Sequence, residues 1–89
     1  MTEFNEQEIY KIIAEKLGIE PEKIADNLEK TLVDMGADSL DIEEMSMDFE
    51  DKYNISINNE EAGAINPLNT INIVRYLRKK IKEKAGVGR

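Results

Sequence analysis

The chain has 89 residues, of which 40 % are hydrophobic and 35 % are charged, so it fits one globular domain with a small core. It contains no cysteine and no histidine, which excludes disulfides, thiolate metal sites and acid–base catalysis by histidine. No apolar run reaches the roughly 18 residues of a membrane span, and the acidic start is unlike a signal peptide. We therefore expect a cytoplasmic protein without membrane insertion.

The net charge of −7 is divided unevenly along the chain. Residues 1–68 hold five lysines and 18 acidic residues, whereas residues 69–89 hold seven basic residues and one acidic residue. The basic residues of 69–89 can complement the dipole at the C-terminus of a helix. Because the acidic body repels phosphate, we exclude nucleic-acid binding. The acidic body instead favours partners that carry lysine or arginine patches.

The first predicted helix covers residues 5–17, and Gly18 indicates its end. Its apolar residues recur at helical spacing: Ile9, Ile12, Ile13 and Leu17. Asn5 and Glu8 have the spacing of a capping box at its start.

Periodicity fades between residues 19 and 38, which predicts a long loop with one helical turn near "PEKIA". Five apolar residues should anchor this loop to the core: Ile24, Leu28, Leu32, Val33 and Met35.

The second predicted long helix runs from Ser39 to Tyr53. One stripe of it should face the core: Ile42, Met45, Phe49 and Tyr53. Leu40 and Met47 fall outside this stripe, among acidic residues.

Two further helices are predicted towards the end of the chain. A short one near "NEEAGAI" should be ended by Pro67, and a last one should be capped by Asn69 or Thr70. The core residues of the last helix are Ile73, Val74, Leu77 and Ile81. The sequence therefore predicts an all-α fold in a single domain, residues 1–89, with a frayed tail from about 85. It is a small four-helix bundle of three longer helices and one short helix, with a long loop between the first and second.

The stretch "DMGADSLDIEEMSMDFED", residues 34–51, places the hydroxyl of Ser39 at the head of a run, Asp38 to Asp51, that has seven acidic residues and no basic one. Ser39 has no base to activate it as a nucleophile, and the Gly-x-Ser-x-Gly pattern of hydrolases is absent. A calcium loop starting at Asp34 fails because Ser39 and Met45 replace the required glycine and glutamate. From these residues alone, Asp38 or Ser39 is a helix N-cap.

The motif "DMGADSLD", the helix after it, the long loop before it and the chain length together resemble the acyl carrier proteins of fatty-acid and polyketide synthesis. The resemblance spans roughly residues 5–80. It implies that Ser39, preceded by Asp38, holds a covalent 4′-phosphopantetheine from coenzyme A. A separate phosphopantetheinyl transferase attaches this arm, whose thiol carries acyl groups as thioesters. The chain itself is then a monomeric carrier without catalytic residues and without a metal.

The resemblance also implies two sets of binding residues. The first set docks acyl-transferring and chain-elongating enzymes through their basic patches: Leu40, Glu43, Glu44, Met47, Glu50 and Asp51. The second set lines a pocket for the acyl chain: Met45, Phe49, Ile57, Ala62, Ile65 and Leu77.

Several positions depart from the better-known fatty-acid carriers. Glu43, Ser46 and Asp48 stand where apolar residues are common, and residues 65–70, "INPLNT", form a longer connection. These departures predict a specialised carrier outside the housekeeping pathway. Two alternatives remain open: a peptidyl or aminoacyl carrier, and an unmodified acidic adaptor in which Ser39 is only a cap.

Overall fold

The structure, a computed structural model, describes residues 4–86, with side chains up to Lys84. It contains five helices: α1 (Glu6–Leu17), α2 (Pro21–Ala25), α3 (Ser39–Tyr53), α4 (Asn59–Gly63) and α5 (Thr70–Gly86). No strand occurs within these residues, apart from one isolated antiparallel bridge between Thr31 and Asn69. The all-α prediction is confirmed, and α2 forms at the predicted turn in "PEKIA".

The three longer helices pack around a single core, and α1 contacts both α3 and α5. The predicted stripes supply eight buried residues of these helices: Ile9, Ile13, Met45, Phe49, Tyr53, Ile73, Val74 and Leu77. The other stripe residues, Ile12, Leu17, Ile42 and Ile81, are partly buried, and Tyr10 and Ala14 of α1 are buried outside the predicted stripe. Burying each of the larger side chains is favourable by about 1.5–3 kcal/mol. The helical periodicity therefore identified the faces that hold the bundle together.

The start of α1 differs from the predicted capping box. The Asn5 side chain accepts a hydrogen bond from the amide of Gln7, at 2.9 Å, but Glu8 does not reach back to Asn5. The Glu8 carboxylate instead accepts a long hydrogen bond from the hydroxyl of Tyr53, at 3.5 Å, and pairs with Lys52 at 3.7 Å. Glu8 therefore ties α1 to the end of α3, and the capping-box prediction was wrong.

The long loop is anchored by Ile24 and Leu32, which are 0 % and 1 % exposed. Val33, predicted to be a further anchor, is 63 % exposed. The backbone turns at this point, since the amide of Gly36 donates to the carbonyl of Val33 at 3.0 Å. Leu32 takes the inward position in this turn, and Val33 faces solvent.

The connection between α4 and α5 holds the loop in place. The amide of Leu32 donates to the carbonyl of Leu68 at 2.9 Å, and the amide of Ile71 donates to the carbonyl of Leu28 at 3.2 Å. Asn69 accepts a hydrogen bond from the amide of Asn72 at 2.9 Å, so it is the predicted cap of α5.

Two boundaries differ from the predicted ones. The short helix α4 ends at Gly63 rather than at Pro67, because the chain leaves the helix at Ala64 and bends at Asn66 and Pro67 to meet the loop at the Thr31–Asn69 bridge. Helix α5 continues to Gly86, and the rest of the predicted tail, residues 87–89, lies outside the described residues. No helix within the described part of the chain is long and apolar enough to cross a membrane.

Candidate functional site

The turn before α3 fixes the position of the Gly-x-Asp-Ser-Leu motif. Gly36 has a φ of +104°, in a region that favours glycine, although a Cβ there would meet nothing within 4 Å. The next residue, Ala37, is buried, and its amide donates to the carbonyl of Leu32 at 2.9 Å. Glycine is therefore needed for the backbone, and the turn sets where α3 begins.

Asp38 caps α3. Its Oδ1 accepts a hydrogen bond from the amide of Asp41 at 2.9 Å, and Asp41 Oδ2 accepts one from the amide of Asp38 at 3.1 Å. This reciprocal capping box satisfies two amides at the start of the helix. Of the two predicted caps, the structure therefore selects Asp38.

Ser39 is the first residue of α3 and is exposed. The capping box engages the amides of Asp38 and Asp41, so the amides of Ser39 and Leu40 have no intramolecular acceptor within residues 4–86. A phosphate ester on Ser39 Oγ would lie beside these two amides, at the positive end of the dipole of a 15-residue helix. The two amides and the helix dipole at this position therefore suit a phosphate ester.

The outward side of α3 has an apolar centre. Leu40 and Met47 are 61 % and 54 % exposed, opposite the buried stripe of the helix. Glu43 and Asp51 are exposed near them. We call these four residues, Leu40, Glu43, Met47 and Asp51, the outer face.

Glu44 lies towards α1, where it is paired within the protein. The Lys16 ammonium is 3.3 Å from Glu44 Oε1 and 3.6 Å from Asp48 Oδ2. The hydrogen bond to Glu44, and the charge of Asp48 beside it, raise the pKa of Lys16. Glu44 is therefore not the free carboxylate that its predicted docking role assumes.

Glu50 turns towards the connection between α3 and α4. Its Oε2 accepts a hydrogen bond from the amide of Ile57 at 2.8 Å, in a partly buried position. Like Glu44, this predicted docking residue has an intramolecular partner.

A cavity of about 280 Å³ lies between α3, α4 and α5. All six residues predicted to line an acyl pocket are on its walls: Met45, Phe49, Ile57, Ala62, Ile65 and Leu77. Sequence reasoning missed five other hydrophobic residues of the lining: Leu32, Ile42, Leu68, Ile73 and Tyr76. Ile42 and Ile73 belong to the apolar stripes of α3 and α5, so periodicity was the available signal for them.

One side of the cavity is polar. Glu43, Ser46 and Asn59 line both this cavity and a neighbouring groove of about 170 Å³. The Ser46 hydroxyl donates to the carbonyl of Ile42 at 3.2 Å, so its proton is used within the helix. The hydroxyl oxygen still has acceptor capacity.

Helix α4 forms one wall of the cavity and has no buried residue. Glu61 connects it to α5, because its Oε1 accepts a hydrogen bond from the hydroxyl of Tyr76 at 3.0 Å and lies 3.5 Å from the ammonium of Lys80. The Tyr76 hydrogen bond lowers the pKa of Glu61, and Lys80 adds to this effect. Polar contacts at the surface therefore help to hold this wall.

Comparison with known proteins agrees with this arrangement. The family described as "Phosphopantetheine attachment site" matches residues 7–72. The acyl carrier proteins of Bradyrhizobium sp. (strain ORS 278) and Nitrobacter hamburgensis are each 39 % identical to this chain over 82 residues, which cover 92 % of this chain and 99 % of theirs. The acyl carrier protein of Wolinella succinogenes is 39 % identical over 70 residues, which cover 79 % of this chain and 88 % of that protein.

The fold and the matched region define a helical carrier protein with a phosphopantetheine attachment site. The chain belongs to the acyl carrier protein family. Its prosthetic group is a covalently attached 4′-phosphopantetheine.

Proposed function

We propose that Ser39 bears the phosphopantetheine arm and that the chain transports acyl groups between enzymes as thioesters on its thiol. The observation that carries this proposal is the exposed hydroxyl of Ser39 at the head of α3, where Asp38 and Asp41 already close the cap. The transferase supplies the base that activates the hydroxyl, so the carrier needs neither a histidine nor catalysis of its own. Asp38 holds the helix start on which the modified residue sits.

The test is the intact mass of the chain before and after treatment with a phosphopantetheinyl transferase and coenzyme A. One phosphopantetheine should be added, and Ser39→Ala should abolish the addition while the helical circular dichroism is retained. Ser46→Ala and Ser56→Ala are matched controls that should still be modified, since these are the only other serines. A modified Ser39→Ala variant would refute the assignment, and an unmodified wild-type chain would favour the acidic adaptor.

We propose that enzymes dock on the outer face. Leu40 and Met47 offer exposed apolar contacts, and Glu43 and Asp51 attract basic patches on the partner. A small interface of this kind forms quickly and dissociates quickly, as a monomeric carrier that visits several enzymes requires. The partners proposed are the transferase and acyl-transferring or chain-elongating enzymes, in the cytoplasm.

We propose that the cavity holds the acyl chain. A cavity of about 150 Å³ accommodates benzene, so the cavity of about 280 Å³ between α3, α4 and α5 has room for roughly ten carbon atoms. Its lining includes Glu43 and Ser46 on the polar side, and Ile65 and Leu68 from the longer connection. These residues support a specialised pathway rather than housekeeping fatty-acid synthesis.

A further inference from the structure

The acidic residues of α3 are not equivalent as partner contacts. At 3.6 residues per turn, Glu44, Asp48 and Asp51 lie on the α1 side of the line from Leu40 to Met47, and Glu43 lies on the α4 side. Asp51 is nearly two turns beyond Glu44, towards the end of the helix. Lys16 bridges Glu44 and Asp48, whereas Glu43 and Asp51 have no ion-pair partner within the described residues.

Lys16 is held at this position by the fold. It lies in the last turn of α1, and its side chain is only 25 % exposed. Glu44 and Asp48 are four residues apart on one helix and would repel each other without it. The three side chains together carry one net negative charge, whereas Glu43 and Asp51 carry two.

We propose that Lys16 determines which enzymes this carrier accepts, because it occupies Glu44 and Asp48 and leaves Glu43 and Asp51 as the carboxylates that a partner can pair with. The inference rests on the proposed function, in which enzymes dock on the outer face. A partner cation placed over Glu44 would have to displace Lys16 and would meet its positive charge, so it would gain little. The partner that fits therefore presents an apolar surface to Leu40 and Met47, and basic residues to Glu43 and Asp51, with none over Glu44.

The experiment measures the dissociation constant of the apo chain and a phosphopantetheinyl transferase, and their association rate by stopped flow at low ionic strength. Glu43→Gln and Asp51→Asn should each weaken binding by roughly three- to tenfold, whereas Glu44→Gln should weaken it by less than about twofold, because no partner cation contacts Glu44. Lys16→Met should accelerate association and steepen its salt dependence. In the Lys16→Met background, Glu44→Gln should weaken binding as much as Glu43→Gln does.

Lys11→Met is the matched control, because Lys11 is an exposed lysine of the same helix and its replacement changes the net charge equally. It should accelerate association less than Lys16→Met and leave the effect of Glu44→Gln unchanged. The Lys16 pairs are partly exposed, so Lys16→Met should unfold at nearly the wild-type temperature.

The outcomes separate the role of Lys16 from docking on the outer face. Equal weakening of binding by Glu44→Gln and Glu43→Gln in the wild-type chain would overturn the role of Lys16, as would equal acceleration of association by Lys16→Met and Lys11→Met. An effect of Glu44→Gln that is the same in the wild-type chain and in Lys16→Met would also overturn the role of Lys16. Association rates unchanged by every one of these variants would instead refute docking on the outer face, and with it that part of the proposed function.

Discussion

Replacing Glu50 with alanine tests whether this carboxylate maintains the fold rather than binding partners. The change removes the acceptor for the amide of Ile57, which it binds at 2.8 Å in a partly buried position. A hydrogen bond to a charged group contributes about 1.5–3 kcal/mol. Solvent can partly replace this acceptor, so we expect a loss of about 1–2 kcal/mol in the free energy of unfolding.

The expected loss is large enough to measure in a domain of this size. Each kcal/mol lowers the melting temperature by about 4–8 °C, so Glu50→Ala should melt roughly 5–15 °C below the wild-type chain. Urea unfolding followed by circular dichroism should show a lower midpoint with an unchanged slope. Glu50→Gln keeps an oxygen acceptor, so its melting temperature should lie between those of the wild type and Glu50→Ala.

Asp51→Ala is the matched control for this measurement. Asp51 is the next residue on the helix, is exposed, and its replacement changes the net charge by the same amount. Its free energy of unfolding should change by no more than about 0.5 kcal/mol. If Glu50→Ala and Asp51→Ala unfolded at the same urea concentration, the hydrogen bond to Ile57 would contribute nothing, and the reasoning would be refuted.

Two further predictions concern the cavity and the alkaline limit of stability. Acyl chains of increasing length on the arm of Ser39 should raise the free energy of unfolding by up to about 0.8 kcal/mol per buried methylene, and with it the melting temperature, up to roughly ten carbons. Ala62→Leu should lower this limit, and Ala64→Leu, outside the lining, should not. A melting temperature independent of chain length would place the acyl group outside the protein. Burial, assisted by Glu8, raises the pKa of Tyr53 from 10.0 to about 12, so its contribution to stability is complete below pH 10 and is lost as the pH rises through about 12. The urea midpoint of the wild type should therefore fall relative to that of Tyr53→Phe over this range, and parallel profiles would contradict the raised pKa.

Local sequence signals predicted most of the fold. Helix α3 begins at Ser39 and ends at Tyr53, as its apolar spacing indicated, and Gly18 ends α1 in a left-handed conformation. These features depend on neighbours within a few residues, so periodicity and capping rules identify them. Val33 was misjudged because a turn at Gly36, not hydrophobicity, decides which way its side chain faces.

The residues that line the cavity were predictable, but the contacts of the charged side chains were not. The family resemblance placed six residues around one cavity, and the structure brings them together. The partners of Lys16 and Glu50 were not predictable, because Lys16 meets residues of another helix and Glu50 reaches past the end of its own. Charged side chains have no periodicity that would identify such partners, so their pairing appears only once the helices are packed.

If Ser39 bears the arm, as we propose, the use of Asp38 as the cap means that loading the arm removes no hydrogen bond from the start of α3. If Ser39 supplied the cap, esterifying its oxygen would remove a hydrogen bond that contributes about 1 kcal/mol to the helix. The capping box uses Asp38 and Asp41 instead. On the proposed function, the empty, the arm-bearing and the acylated forms therefore begin α3 in the same way. An enzyme that meets the carrier must then distinguish these states by the arm and its cargo, because the scaffold at the attachment point is identical in all three.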